Sequence, residues 1–200
     1  MVDFCSGDIS IFLGLIRDIF SLSIDQNQPI CERAIKIKIQ DRAIRENAND
    51  FLNRIETIPN TGPKLRKIAV AFGKVANYYL KNLNSGNQDR EPPWQAFRIE
   101  LRENPQFPEE TLGIYNDLIK YGIFFRDVRG KSIRGDVVPR LYLRRLLIPS
   151  FKLTPNMRDS ISIEPEEFIL LLDNPEGFYE HMKKKSHSIR SDRWQTKLGQ

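Results

Sequence analysis

The sequence predicts a mainly α protein with a small β wing. Three observations carry this. Apolar residues recur at helical spacing in three successive stripes within residues 6–84. A polar segment with Gly and two Pro, NSGNQDREPP at 84–93, interrupts the pattern. Residues 122–153, GIFFRDVRGKSIRGDVVPRLYLRRLLIPSFKL, then bring β-branched and aromatic content with a basic tip, the pattern of a hairpin.

The elements follow in order. Ile9, Phe12, Leu13, Ile16, Ile19 and Phe20 form the first stripe, with Ser6 or Asp8 available as its cap. The second helix is expected from Ile37 to Ile55, on Ile44, Ala48, Phe51, Leu52 and Ile55, and is broken by Pro59, Asn60 and Gly62. The third runs from Pro63 to Leu83, and Leu65, Ile68, Ala69, Phe72, Val75, Ala76, Tyr79 and Leu80 keep its period. Pro63 suits a first turn. Three such stripes should face one another as a small bundle. After the linker, Trp94 to Leu101 reads as a short helix. Phe107-Pro108-Glu109-Glu110 opens another, with acids where the helix dipole favours them. Leu112, Tyr115, Leu118 and Ile119 are its expected buried face, and Gly122 its stop. Ile123–Arg126 and Val137–Leu143 are the expected strands, with Gly130 and Gly135 in a long connection. Helix, helix, hairpin is the order of a winged helix. Residues 146–155 read as irregular with room for one helical turn, and Ile161 and Ile163 as a short strand. Pro165–Leu172 and Pro175–Met182 read as short helices, each opened by Pro and Glu. The expected division is 1–84 helical bundle, 85–93 linker, 94–155 winged helix, 156–182 strand and helix extension, and 183–200 a basic, frayed tail.

Charge comes in blocks. Residues 1–122 balance at 16 basic and 16 acidic side chains. Residues 123–158 hold nine Lys/Arg against two Asp, an excess of seven where the whole chain has only five. Residues 159–182 hold seven acids and no Lys or Arg, and 183–200 hold six basic residues and one acid. Opposite blocks so close in sequence are expected to meet each other or a partner by sign. No apolar run reaches the roughly 18 residues of a membrane span. The start lacks the pattern of a signal peptide. Cys5 and Cys31 make neither metal spacing nor a disulfide framework. A cytoplasmic protein without a membrane contact is expected.

Catalytic chemistry finds little footing. No phosphate-cradling loop and no G-x-G-x-x-G after a strand is present. His181 and His187 are the two histidines, and neither has a cysteine nearby. Glu166, Glu167 and Asp173 fit a solvated helix face better than general acid–base chemistry. No catalytic residue, metal ligand or cofactor of its own is therefore assigned to this chain. The basic hairpin is the candidate site. Arg126, Arg129, Lys131 and Arg134 cluster toward its tip, and Arg140, Arg144 and Arg145 line the return. Such density can neutralise several phosphates. It also suits an acidic protein surface, or a charged edge that blocks strand aggregation. The helix before it carries Glu109, Glu110 and Asp117 against Lys120. That disfavours base reading by the helix and favours backbone contact by the wing. It also disfavours a free-standing transcription regulator.

The runs PPWQAFRIELR, LIKYGIFFRDVRGKS, VVPRLYLRRLLIPSFKLT and RDSISIEPEEFILLLDNPEGFY carry a resemblance. They look like the C-terminal portion of bacterial AAA+ ATPases similar to the origin-recognition-complex group. There a nucleotide-binding core is followed by a three-helix lid and a winged helix. The resemblance spans essentially the whole chain. It implies that 1–84 is the lid, that duplex DNA is a partner, and that an ATPase core with ATP and magnesium lies upstream of this sequence. It implies contacts with that core or with neighbouring subunits. The lid turn would be Gly7, Asp8 and Ser10, near nucleotide, but Ser10 stands where such lids carry a sensor arginine. The alternative is an adaptor that binds protein within a bacterial ATPase assembly, in replication, defence or a mobile element.

Overall fold

A computed structural model describes residues 5, 8–26, 34–83, 98–101, 106–133, 136–153 and 161–185. Helix α1 spans Ile9–Asp25 and starts because Asp8 caps it, accepting from the backbone N–H groups of Ser10 and Ile11. Helix α2 spans Ile37–Ile55 and α3 spans Gly62–Leu83. A short strand β1, Arg98–Leu101, precedes helix α4, Glu109–Lys120. Strands β2, Phe124–Ile133, and β3, Asp136–Leu143, form the hairpin. A 3-10 helix, Arg145–Phe151, follows. Then come β4, Ile161–Ile163, helix α5, Pro165–Asp173, and helix α6 over 175–185. The chain is mainly helical with a small β-sheet, as its periodicity predicts.

The sheet order is β2-β3-β1-β4, with β1 antiparallel to β3 and parallel to β4. The expected helix over Trp94–Leu101 is corrected here: Arg98–Leu101 is a strand, and 94–97 lie outside the described residues. Ile99 and Leu101 alternate with Arg98 and Glu100, and pairing on both edges fixes that period of two. One sheet face buries Phe124, Leu141, Leu143, Ile99, Leu101, Ile161 and Ile163. Pairing of Ile161–Ile163 with β1 bears out the short strand expected there.

The main core runs from Leu52 of α2 through α3 to the sheet, the 3-10 helix, α5 and α6. It includes residues from both sides of the expected 85–93 linker, which lies outside the described residues. Phe72 of α3 packs edge-on against Phe124 of β2, with ring centroids 5.4 Å apart. Phe107 stacks on Tyr115, and Phe168 meets the first at a tilt and the second edge-on, which joins α4 to α5.

The three stripes do not converge on one axis. Helix α1 packs on α2 through a smaller cluster of Cys5, Leu15, Ile19 and Ala43. Asn47 adds a hydrogen bond from its Nδ2 to Asp18 Oδ2 at 2.8 Å. The far side of α2 carries Leu52 and Ile55 into the main core. As a result Ile9, Leu13, Phe20 and Ile24 of α1 stay exposed, although three of them belong to its expected buried stripe. In α4 the buried side includes Thr111 instead of Leu112, which is exposed. Thr111 donates to Asp173 Oδ1 on α5 and so turns inward.

Opposite charges meet on α5 and α6 as their blocks predict. Lys185 Nζ lies 2.6 and 2.8 Å from the two carboxylate oxygens of Glu167, and His181 Nε2 lies 2.9 Å from one of them. Glu167 also accepts from the Glu164 backbone N–H at 3.0 Å, closing the first turn of α5. It is buried, not on a solvated face. Burial alone would raise its pKa, but Lys185, the Glu164 N–H and His181 together hold it below the ordinary value. Helix α6 reaches residue 185, and 186–200 lie outside the described residues.

Candidate nucleic-acid interface

The hairpin is longer and more regular than its composition implies. Strand β2 has 10 residues and β3 has eight, and their register runs out to Ile133 opposite Asp136. The expected long connection therefore shrinks to Arg134 and Gly135, which lie outside the described residues. Gly130 belongs to β2. At about 3.3 Å per residue, β3 alone extends on the order of 25 Å. The pairing is interrupted between Asp127 and Lys131. Asp127 faces Arg140 and Lys131 faces Val138, so three residues of β2 oppose Pro139 alone. Proline has no N–H to offer the ladder, and a bulge there is its physical consequence.

The bulge positions the candidate cations. Arg129 sits within it and Lys131 on its distal side, by register. Arg126 is exposed and shares the strand face of Phe124 and Leu141, at the margin next to α4. Arg140 lies on the opposite face beside Tyr142, whose hydroxyl donates to Asp127 Oδ2 at 2.9 Å. It is half-buried and engaged with its neighbours.

Arg144 faces away from this group. It is the first residue after β3, and its backbone N–H donates to Ile123 O at 2.9 Å. Its side chain is only 14% exposed. The guanidinium lies over the Phe51 ring of α2 at 4.6 Å and beside the Phe125 ring at 5.8 Å. Its Nη2 reaches Asp8 Oδ2 at 3.4 Å. Burial lowers its pKa, and Asp8 works against that. Arg144 is a clasp between the root of the hairpin, α2 and the start of α1. Sequence counted it with the wing because the strand carries Arg140, Arg144 and Arg145 in one run. The rings that claim it come from distant residues.

The turn before α1 is closed on itself. Asp8 Oδ1 accepts from the Ser10 hydroxyl at 2.7 Å and from the N–H groups of Ser10 and Ile11. The Ser10 hydroxyl bond, more than any other contact, holds the Asp8 carboxyl below its ordinary pKa. Those N–H groups are the ones a phosphate would use, and a carboxylate already holds them. Asp8 and Ser10 thus do not make a phosphate cradle in this arrangement, and Gly7 lies outside the described residues. Among the described residues, no group of three His, Cys, Asp or Glu could hold a metal ion.

One acid of the helix before the hairpin is tied down by a hydrogen bond. Asp117 of α4 accepts from the Thr61 hydroxyl at 2.8 Å, which ties it to the turn between α2 and α3. Glu109 and Glu110 remain exposed at the α4 N-terminus. Lys120 lies over the Tyr121 ring at 5.3 Å.

A profile of the ORC-CDC6-like family matches residues 1–163. The chain belongs to the ORC-CDC6-like family. This places it with AAA+ ATPases of that kind, in agreement with the resemblance carried by its long sequence runs. No curated protein and no solved structure matches it. The ORC-CDC6-like match covers α1 through β4, so bundle, hairpin and sheet all fall inside the family's pattern. Among the described residues, no helix of this ORC-CDC6-like chain is long and apolar enough to cross a membrane.

Proposed function

We propose that this chain is a non-catalytic lid and winged-helix region of an ORC-CDC6-like AAA+ ATPase, and that its β2–β3 ribbon grips duplex DNA. The observation that carries this reading is the ribbon itself. Arg126, Arg129 and Lys131 follow one another along β2, in a stretch whose charge excess exceeds that of the whole chain. The order β1, α4, β2, β3, with β3 between β1 and β2, supports the winged-helix reading. Backbone contact suits this ribbon better than base readout, because Glu109 and Glu110 stand exposed on the helix that would enter a groove.

The test is fluorescence anisotropy of a labelled duplex against salt. The parent is expected to show a steep log–log slope. Arg129→Ala/Lys131→Ala/Arg134→Ala should shallow it by about 3. A flat slope in the parent, or a triple variant that binds like the parent, refutes the ribbon as the DNA contact.

A second reading is favoured by a separate observation. Helix α1 presents Ile9, Leu13, Phe20 and Ile24 to solvent, with Ile9 73% and Leu13 59% exposed. An apolar seam of this kind suits a protein neighbour, either the ATPase core or another subunit. In that reading the chain serves as an adaptor within an ATPase assembly. Retention of partner binding after loss of the ribbon cations, with none to DNA in the parent, would select it.

A further inference from the structure

A concave groove lies between α3, the 3-10 helix and α6. Its volume is about 640 Å³. One face of α3 forms its floor, with Val70, Gly73, Lys74, Asn77, Tyr78 and Lys81 following helical spacing. The wall opposite is Ser150, Phe151 and Lys152, and Tyr179 of α6 closes one side. Gly73 makes the groove's geometry: a Cβ there would sit 2.3 Å from Phe151 Cγ, so only glycine lets the 3-10 helix lie this close. Asn77 fixes the wall by donating from Nδ2 to Phe151 O at 2.8 Å. Lys152 ends the 3-10 helix in the left-handed region, at φ 54°.

Charge is what sets the groove apart. Among the described residues, its lining has three lysines and no carboxylate. Several other cations are paired: Arg42 with Glu46, Arg45 with Asp41, Arg66 with Glu56 and Lys64 with Asp173. Lys74, Lys81 and Lys152 have no partner among the described residues. Ser150 Oγ is buried in the wall without a hydrogen-bond partner. We propose that this groove is a second nucleic-acid contact, separate from the ribbon, which takes the sugar–phosphate backbone of one strand.

The spacing argues for a strand over a single phosphate. Lys74 and Lys81 are two helical turns apart, about 10 Å along the axis. Lys152 follows Phe151, whose carbonyl is held by Asn77, a residue between the two lysines on α3. A strand offers one phosphate about every 3.4 Å of axis, so three phosphates fall within the reach of three ammonium groups. The half-buried rings of Tyr78 and Tyr179 add flat surfaces on which bases stack without regard to sequence. An acidic peptide would meet the lysines but gain little from these rings.

The inference stands on the groove alone and can fail separately from the ribbon. The experiment measures anisotropy of labelled single-stranded oligo-dT and of a duplex with the 200-residue chain. It compares Lys74→Gln/Lys81→Gln/Lys152→Gln, the ribbon triple and their combination, with circular dichroism to check folding. The groove triple should weaken binding by about tenfold and reduce the salt slope by roughly 2 to 3, additively with the ribbon triple. Mass-spectrometric lysine acylation of the unmutated chain should show Lys74, Lys81 and Lys152 protected by oligo-dT. A groove triple that binds both probes like the parent overturns the proposal and leaves the ribbon reading intact. Loss of binding in the groove triple, with an unaffected ribbon triple, upholds the groove and removes the ribbon. Protection of the lysines by polyglutamate as strong as that by oligo-dT overturns the nucleic-acid assignment in favour of an acidic protein surface.

Discussion

Gly73→Ala sets two physical effects against each other, and the structure decides the sign. Alanine is favoured over glycine inside a helix by about 1 kcal/mol. Gly73 lies well within the 22 residues of α3, so that gain is available in full. Against it stands the Phe151 ring. The new Cβ would lie 2.3 to 2.5 Å from Cγ, Cδ1 and Cδ2, the root of the ring and not its flexible end. The ring cannot slide away, because Asn77 holds the Phe151 carbonyl and the 3-10 helix buries Leu146, Leu147 and Ile148. Overpacking of this kind costs about 1–3 kcal/mol, and contact at the ring root argues for the upper end. The net expectation is a loss of about 2 kcal/mol. For a chain of this size that lowers Tm by about 4–8 °C. Urea denaturation followed by far-ultraviolet circular dichroism measures it. Adding Phe151→Leu to Gly73→Ala should restore part of the loss, with a coupling of about 1–2 kcal/mol. A Gly73→Ala variant as stable as the parent, or more so, would show that helix propensity wins and that the close approach is not a constraint.

The remaining predictions concern the two charged clasps and the core. Arg144→Ala should destabilise the fold by about 2 kcal/mol, since it removes a desolvated cation from Phe51 and Phe125 as well as a partner from Asp8; calorimetry checks it, and Arg144→Lys should rescue poorly because an ammonium cannot lie flat on a ring. Glu167→Gln should cost about 2 kcal/mol at neutral pH by breaking its bonds with Lys185 and His181. The folded pKa of Glu167 is depressed, so its contribution is present above the ordinary value of 4.5 and is lost as pH falls through the folded value. The gap between parent and variant in urea titrations should therefore narrow below pH 4.5. A gap that is constant with pH would remove the ionic account. The continuous core predicts one unfolding transition, with tyrosine fluorescence and circular dichroism coincident in urea, and separated midpoints would count against it.

How far the sequence reveals the fold depends on which contacts are local. Helix α3 follows its apolar period almost to the residue, because one continuous face satisfies it, whereas α2 follows its own over Ala48, Leu52 and Ile55 and also buries Ile39 and Ala43 on its other side. Helix α1 has a period too, but period alone cannot say which of two apolar sides meets a neighbour. Leu15 and Ile19 are buried and Ile9 and Leu13 are not, a choice made by the position of α2. Strand β1 is illegible for a stronger reason. Four residues hold no distinctive pattern, and their conformation comes from partners in β3 and β4 some 40 to 60 positions later. The candidate site divides in the same way. The cation density of the ribbon is read directly from the chain. The inward turn of Arg144 is not, because Asp8 lies 136 residues away and the Phe51 ring belongs to another element. Nor is the groove, whose lysines are unremarkable until α3 and the 3-10 helix are brought together.

These placements separate what supports the ribbon from what the ribbon presents. Its root is over-determined. Phe124 packs on Phe72, the Arg144 backbone bonds to Ile123, and the Arg144 side chain joins α2 to the start of α1. Gly122 permits this clasp: it has φ +63°, and a Cβ there would approach Arg144 Nη1 to 3.1 Å. Beyond Asp127 the ladder breaks opposite Pro139, and pairing resumes at Lys131 opposite Val138. Substitutions at the root therefore act first on stability, and substitutions beyond the bulge act first on binding. A cation counted in the ribbon has a different meaning on each side of that break. Arg144 belongs to the fold, whereas Arg129 and Lys131 lie within and beyond the bulge by register. This is why the salt dependence of DNA binding should follow the distal cations while thermal stability follows the proximal one.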